Sequence, residues 1–163
     1  LVNNITGTSN VAVGVNTLLS NTGGINNTAV GQQALNSNTT GGKNTAVGLQ
    51  AMYSNTIGIQ NTAIGYCTLY SNTTGNSNVA VGWNALSSNT IGYRNTAMGV
   101  SSLKNNTTGN LNSAFGYYAM NANTIGAANV AVGYMASRLN TCSLAPHEQS
   151  AAFLQLAHKI PFA

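Results

Sequence analysis

The most constraining feature of the sequence is a spacing of 17 residues that never slips. Each repeat contains two glycines seven residues apart, with an Asn and an Ala between them, and it closes on Asn-Thr. A repeat this short holds no pair of helices, and it is shorter than the roughly 20 to 29 residues of a leucine-rich repeat. Helical solenoids are therefore excluded. The repeats start at Gly7, Gly24, Gly41, Gly58, Gly75, Gly92, Gly109 and Gly126.

The segment N-T-A-V-G within each repeat has the alternation of a β-strand, with Thr and Val predicted on one face and Asn and Ala on the other. The glycines and the S-N-T segments are typical of turns. We therefore predict an all-β fold for residues 1–142, a parallel β-helix of eight coils. Each coil is expected to hold two short strands and two corners, and the coils to stack about 4.8 Å apart.

Stacking identical repeats places identical side chains in columns along the axis. A buried Asn column can hydrogen-bond from amide to amide, and a small Ala column lets opposed segments of the coil approach each other. We predict structural roles, and no binding role, for both columns. They contain Asn10, Asn27, Asn44, Asn61, Asn78, Asn95, Asn112 and Asn129, and Ala12, Ala29, Ala46, Ala63, Ala80, Ala97, Ala114 and Ala131.

Three further columns are apolar, and one thin coil cannot enclose all of them. Continuous exposed apolar stripes normally mark an interface, so we expect a lateral oligomer, most simply a homotrimer around a shared axis. The first column runs from Val13 to Val132 and the second from Leu18 to Met120, both at the 17-residue spacing. The third, more aromatic column contains Val15, Leu49, Tyr66, Trp83, Val100, Tyr117 and Tyr134.

A second period of 34 residues overlies the first. Bulky and small residues alternate at two neighbouring positions, which suggests interdigitation with another copy or between successive coils. These positions read Thr40, Ile57, Thr74, Ile91, Thr108 and Ile125, and Gly42, Ile59, Asn76, Tyr93, Asn110 and Ala127.

The pentads N-V-A-V-G (10–14, 78–82, 129–133), N-T-A-V-G (27–31, 44–48) and N-T-A-I-G (61–65) resemble the S-V-A-I-G repeats in the heads of trimeric autotransporter adhesins. The fuller repeat is similar to arrays in tail-fibre-like proteins of phages and bacteria. The resemblance covers residues 1 to 142. It implies a left-handed β-roll, a homotrimer, and an adhesive or fibre-forming role, although the autotransporter repeats are shorter and no membrane anchor is recognisable.

The sequence offers little for catalysis, since only 4% of residues are charged and the one carboxylate side chain is Glu148. It stands beside His147, with His158 further on, and this spacing is not that of a zinc-binding H-E-x-x-H helix. We predict no enzyme activity, no cofactor and no metal. The five cations are scattered, which does not favour nucleic-acid binding. No apolar run is long enough for membrane insertion.

Cysteine pairing and glycosylation are also weak expectations. Cys67 and Cys142 lie in different columns four coils apart, about 19 Å along the axis, which is too far for a disulfide within one chain. Asn38, Asn72 and Asn106 begin N-x-[ST] triplets on one corner, as Asn4, Asn26 and Asn105 do elsewhere. An Asn- and Thr-rich repeat generates such triplets by accident.

Residues 143–163 depart from the repeat and form a second segment. Pro146 stands at the first turn of a predicted helix over 146–160, with Lys159 near its end. We predict that this helix covers the open end of the solenoid through Phe153 and Leu156. The alternative interpretation is a connector or trimerising helix.

Taken together, these patterns predict an extracellular structural and adhesive fibre module at a cell surface or on a virion. Its expected partners are other copies of itself and, in addition, a glycan or protein of a host surface. The alternative function is binding to ice or another crystal surface. It rests on the Thr column from Thr22 to Thr141, which places hydroxyls about 4.8 Å apart.

Overall fold

A computed structural model describes residues 2–137, which form one solenoid of parallel coils. The predicted all-β parallel β-helix is confirmed, and none of these residues lies in a helix. Eight strands pair in chain order within a single parallel sheet. They are β1 (Val11–Val13), β2 (Thr28–Val30), β3 (Thr45–Val47), β4 (Thr62–Ile64), β5 (Val79–Val81), β6 (Thr96–Met98), β7 (Ser113–Phe115) and β8 (Val130–Val132).

The register of the sheet is one repeat per strand. Ala12 lies opposite Ala29, and Ala46 lies opposite Ala63, so each residue faces its equivalent in the next coil. The same 17-residue offset holds from β1 to β8, and the coils are therefore equal in size. This register turns the sequence period into straight columns of side chains.

The prediction of two strands per coil is wrong, because each coil has one three-residue strand and a turn-rich arc. Cys67 and Leu69, on the arc of the fourth coil, have φ angles of 49° and 51°. Two left-handed residues so close together break the pleat of a strand. The arc is still tied to its neighbour, since the N–H of Leu69 donates to the Ala85 carbonyl at 3.1 Å.

The left-handed conformation on the arc brings Leu69 and its equivalents into the core. Such a conformation costs a non-glycine residue about 1–2 kcal/mol, while burying a Leu side chain contributes about 1.5–3 kcal/mol. Burial therefore offsets the backbone strain. The Ala column of the strands packs in the same cluster. The fully buried Leu and Met side chains are Leu18, Leu35, Met52, Leu69, Leu86, Leu103 and Met120.

The predicted helix over 146–160, with its cap residues Phe153 and Leu156, lies outside the described residues. Capping of the solenoid by this segment stays a prediction.

Candidate functional surfaces

The predicted Asn column, which we call the strand-Asn ladder (Asn10 to Asn129 at the 17-residue spacing), lies along one inner corner of the solenoid. The Oδ1 atom of Asn44 accepts the backbone N–H of Asn61 at 2.9 Å and its side-chain Nδ2–H at 3.2 Å. The Nδ2 of Asn61 also donates to the carbonyl of Gly75 at 2.8 Å. Each carboxamide thus takes the place of a backbone carbonyl between two coils.

A second Asn column, the turn-Asn ladder, is a structural feature that the sequence reasoning missed. The Nδ2 of Asn72 donates to the Oδ1 of Asn55 at 2.9 Å and to the carbonyl of Gly75 at 3.0 Å. The Gly75 carbonyl therefore accepts a carboxamide from each ladder. The Asn-Thr pair that recurs in every repeat is the sequence signal from which this ladder could have been predicted. The ladder contains Asn21, Asn38, Asn55, Asn72, Asn89, Asn106 and Asn123.

The two ladders satisfy the hydrogen-bonding side chains of the interior corner. From residue 2 to residue 137, no buried side-chain nitrogen or oxygen lacks a hydrogen-bond partner. A fully satisfied polar network inside a protein is rigid, whereas a half-satisfied one is costly. The buried polar side chains of the corner in residues 2–137 are therefore all held by hydrogen bonds within the solenoid.

The turn-Asn ladder also decides three of the candidate glycosylation sites. Asn38, Asn72 and Asn106 are fully buried, and each donates both of its amide hydrogens within the solenoid. The folded coil has no space for an oligosaccharide on these nitrogens. Asn4, Asn26 and Asn105 are exposed.

Two glycine columns pack against this scaffold. A Cβ added at Gly75 would meet the Nδ2 of Asn89 at 2.9 Å and would clash more severely with Asn72 Oδ1 and the Gly92 carbonyl. Gly65, in the second column, has a φ of +131°, and a Cβ there would lie 2.6 Å from the Gly82 carbonyl oxygen. The glycines are required because the coils approach each other backbone to backbone.

The hydroxyls of the Thr column donate hydrogen bonds to the carbonyls of the equivalent Thr residues in the next coil. The carbonyl of Thr73 accepts three backbone N–H groups from the preceding coil, at 3.0 to 3.3 Å, and the Thr56 Oγ1–H at 3.1 Å. Since the hydroxyl hydrogens point along the axis, this geometry does not favour the ice-binding alternative. That alternative stays a prediction, and a thermal hysteresis measurement tests it.

The 34-residue alternation has a hydrogen-bonding basis. The Oδ1 of Asn76 accepts the N–H of Ile59 at 2.7 Å, and the Oδ1 of Asn110 accepts the N–H of Tyr93 at 2.9 Å. A polar side chain in one coil thus caps an exposed backbone group of the coil before it. The bulky residues stand in the coils between.

The outward side of the strands carries an apolar surface that we call the strand face. It combines two of the three predicted apolar columns, while the third is the buried Leu and Met column. Trp83 is 57% exposed, and its ring meets that of Tyr66 edge to face at a centroid distance of 6.1 Å. The exposed members are Val13, Val15, Leu49, Ile64, Tyr66, Trp83, Met98, Phe115, Tyr117, Val132 and Tyr134.

Two tyrosines of the strand face have raised pKa values. Hydrogen bonding and charge interaction with Cys67 are the main causes of the raised pKa of Tyr66. Desolvation is the main cause for Tyr117, whose ring also stacks on Tyr134 at a centroid distance of 5.3 Å. Both phenols are neutral at physiological pH already at the ordinary pKa of tyrosine, and the upward direction of the shifts leaves them so.

Charged groups are sparse on the solenoid. Lys43, Arg94 and Lys104 are the ionised side chains of residues 2–137, and they lie in different coils. Within that span no three His, Cys, Asp or Glu side chains come together as metal ligands.

Cys67 is a free thiol, and its Sγ lies 3.5 Å from the Oε1 of Gln50.

His147, Glu148, His158 and Cys142 lie outside the described residues. The described part of the chain has no helix long and apolar enough to cross a membrane.

The search of family models, of curated proteins and of solved structures found no match to this chain.

Proposed function

We propose that this solenoid is a structural and adhesive module of a fibre, placed at a cell surface or on a virion, and without catalytic activity. The observation that carries the proposal is the strand face, an exposed apolar stripe about 34 Å long. Inside the described solenoid, by contrast, every buried polar side-chain atom has a hydrogen-bond partner. Soluble monomers rarely expose a continuous stripe of this kind. The stripe therefore serves as a contact surface for other copies of the chain.

The symmetry we propose is a homotrimer in which three strand faces meet around one axis. A closed oligomer of this kind buries one stripe from each chain and leaves none exposed. The resemblance to trimeric adhesin heads supports the same stoichiometry, and it also implies left-handed coils. Ladders along the axis and stripes across it would together make a stiff rod, as a fibre requires.

Adhesion is proposed for the surfaces that the trimer leaves outside. These surfaces are nearly uncharged and mix polar side chains with exposed apolar ones such as Ile57, Ile91 and Tyr93, which suits contact with a glycan or a protein of a host surface. The three scattered cations provide no basic stripe for a nucleic acid. An uncharged, hydrogen-bonded solenoid also suits an extracellular setting, where resistance to proteolysis matters.

Multi-angle light scattering of the full chain at micromolar concentration tests this proposal. The expected result is a mass three times that of the 16.7 kDa chain. A homogeneous species of 16.7 kDa would overturn it, because the strand face would then be a solvent-exposed surface of a monomer.

A further inference from the structure

The arc carries a groove of about 320 Å³ on its outward side, spanning the third to fifth coils. Ser71 and Ser88 directly precede Asn72 and Asn89 of the turn-Asn ladder, but those two Asn side chains are buried and do not line the groove. Every side chain that lines it is half-buried and uncharged. The lining residues are Gln50, Cys67, Tyr70, Ser71, Asn84, Ser87 and Ser88.

The groove is open because Ser87 is too short to cross it. In the second coil, the Nδ2 of Asn36 reaches over the arc to the carbonyl of Asn16 at 3.0 Å. In the seventh coil, Asn121 makes the same contact with the carbonyl of Ser101 at 3.1 Å. Ser87 occupies the equivalent position in the fifth coil, and no such bridge forms there. The third, fourth and sixth coils lack the bridge as well but carry the larger Tyr53, Tyr70 and Lys104, so Ser87 is the smallest side chain of this column and leaves the opening.

A short stack of rings ends at the groove. Tyr53 and Tyr70 occupy the Ser87 column in the two preceding coils, with their centroids 5.2 Å apart and their planes 7° from parallel. One face of Tyr70 is covered by Tyr53. The next position along the column is Ser87, so no third ring covers the other face. A flat apolar surface therefore forms one wall of the groove.

Gln50 and Cys67 are hydrogen-bonded within the protein, but four other polar side chains of the groove are free to bind a ligand. Within residues 2–137, the side chains of Ser71, Asn84, Ser87 and Ser88 make no hydrogen bond to another protein group. This differs from the Asn ladders, where every carboxamide donates at least one hydrogen bond within the solenoid. A carboxamide and three hydroxyls supply both donors and acceptors. None of the lining side chains is ionised, and Lys104, which follows Ser87 in the same column, does not line the groove, so the lining favours a neutral ligand.

We propose that this groove binds a sugar ring of a neutral glycan. The apolar face of the ring would stack on Tyr70, where a third aromatic ring would otherwise continue the column. Asn84 and the three serines would hydrogen-bond to the sugar hydroxyls, as the few convergent polar groups of a small-molecule site do. The inference rests on the adhesive part of the proposed function and names its ligand class.

The variant Ser87→Asn tests the groove by closing it. From this position the new carboxamide can reach the Cys67 carbonyl, by analogy with the bridges of Asn36 and Asn121, so the fold should be unaffected. The matched control is Ser77→Asn, at a left-handed position that Asn26 occupies in another coil, away from the groove. Tyr70→Leu, as a second variant, removes the stacking wall.

The probes are maltotriose, cellotriose, chitotriose and mannotriose, with 3′-sialyllactose as the charged comparison. Saturation-transfer difference NMR on the full chain should detect at least one neutral trisaccharide. Ser87→Asn and Tyr70→Leu should each weaken its binding about tenfold or more, while Ser77→Asn should leave it unchanged. The inference is overturned if no neutral trisaccharide binds, if only sialyllactose binds, or if Ser87→Asn binds as the wild type does.

The light-scattering mass of the same samples separates the two proposals. The groove adjoins the strand face where Tyr66 meets Cys67, but Ser87 is not a strand-face residue, so Ser87→Asn should not alter the oligomer. A trimer that binds none of the neutral trisaccharides would overturn the glycan site and leave the fibre module intact. A monomer that binds one of them would do the reverse.

Discussion

The corner with the two Asn ladders and the arc with the groove repeat along the same axis, yet they tolerate sequence change very differently. At the corner, each glycine carbonyl from Gly24 to Gly126 accepts two carboxamides, and the residues of these columns are identical from coil to coil. On the arc, the Ser87 column varies widely, as shown by Leu19, Asn36, Tyr70 and Lys104. Directional bonds between identical neighbours fix the residue, whereas outward side chains are free to differ. The outward side chains of the arc are therefore where the proposed glycan recognition can vary without disturbing the scaffold.

The largest effect should come from breaking the strand-Asn ladder with Asn78→Leu. The backbone N–H and the Nδ2 of Asn95 would lose their acceptor, at a cost of about 1–3 kcal/mol for each buried group. Denaturant unfolding should show a loss of several kcal/mol.

Asn84→Leu, on the arc, is the matched control. Its side chain is half-buried and makes no hydrogen bond within the described solenoid. The backbone is left-handed at φ 55°, but Cys67 and Tyr118 share this conformation at the same position of other coils, so we expect a loss of no more than about 1 kcal/mol. Similar losses for Asn78→Leu and Asn84→Leu would contradict the contrast between corner and arc.

Gly65→Ala should have the next largest effect. Its Cβ would stand 2.6 Å from the Gly82 carbonyl oxygen at a positive φ, and we expect a loss of about 2 kcal/mol or more. At Gly23 the nearest atom, Thr6 Oγ1, is 3.2 Å away and φ is not in the left-handed region. Gly23→Ala should instead stabilise the protein by about 0.4–1 kcal/mol. Thermal melts that moved in the same direction for both variants would refute this distinction.

Ala63→Val tests the tightness of the core and should cost about 1–3 kcal/mol. The Ala63 side chain is fully buried, and two added methyl groups would overpack the thin interior. Thr62→Val, one residue away on the outward side, copies Val79 of the next coil and should be nearly neutral. An unchanged unfolding midpoint for Ala63→Val would mean that the core has space to spare.

Asn76→Gly should give the smallest effect, less than about 1 kcal/mol. It removes the acceptor of the Ile59 N–H, but this bond is exposed and water can replace it. Gly42 occupies the same position two coils earlier. Amide hydrogen exchange should become faster at Ile59 and stay unchanged at the interior amide of Asn61. Faster exchange at both positions would show that the outer cap supports the ladder.

Much of the fold followed from the period, because a 17-residue repeat without helices has few ways to satisfy its backbone except by parallel stacking. Strand direction, register and the inward side of the Ala column could all be predicted. The second strand was wrong because Leu69 carries no sequence signal for a left-handed backbone, which it adopts only to reach the core. The groove was not predictable either. It depends on a side chain bridging to a carbonyl 20 residues earlier, a distance unrelated to the period.

The central claim is that the chains assemble through the strand face. The most direct test compares the solution mass of the Met98→Lys variant with that of Thr108→Lys. Met98 is 42% exposed at the end of β6, where three lysines would meet around the proposed axis, whereas Thr108 lies on an exposed corner. Sedimentation should give three chains for the wild type and for Thr108→Lys, and one chain for Met98→Lys with an unchanged far-ultraviolet circular dichroism spectrum. A wild type that sediments as a single chain, or a Met98→Lys variant that stays at three, would contradict assembly through this face.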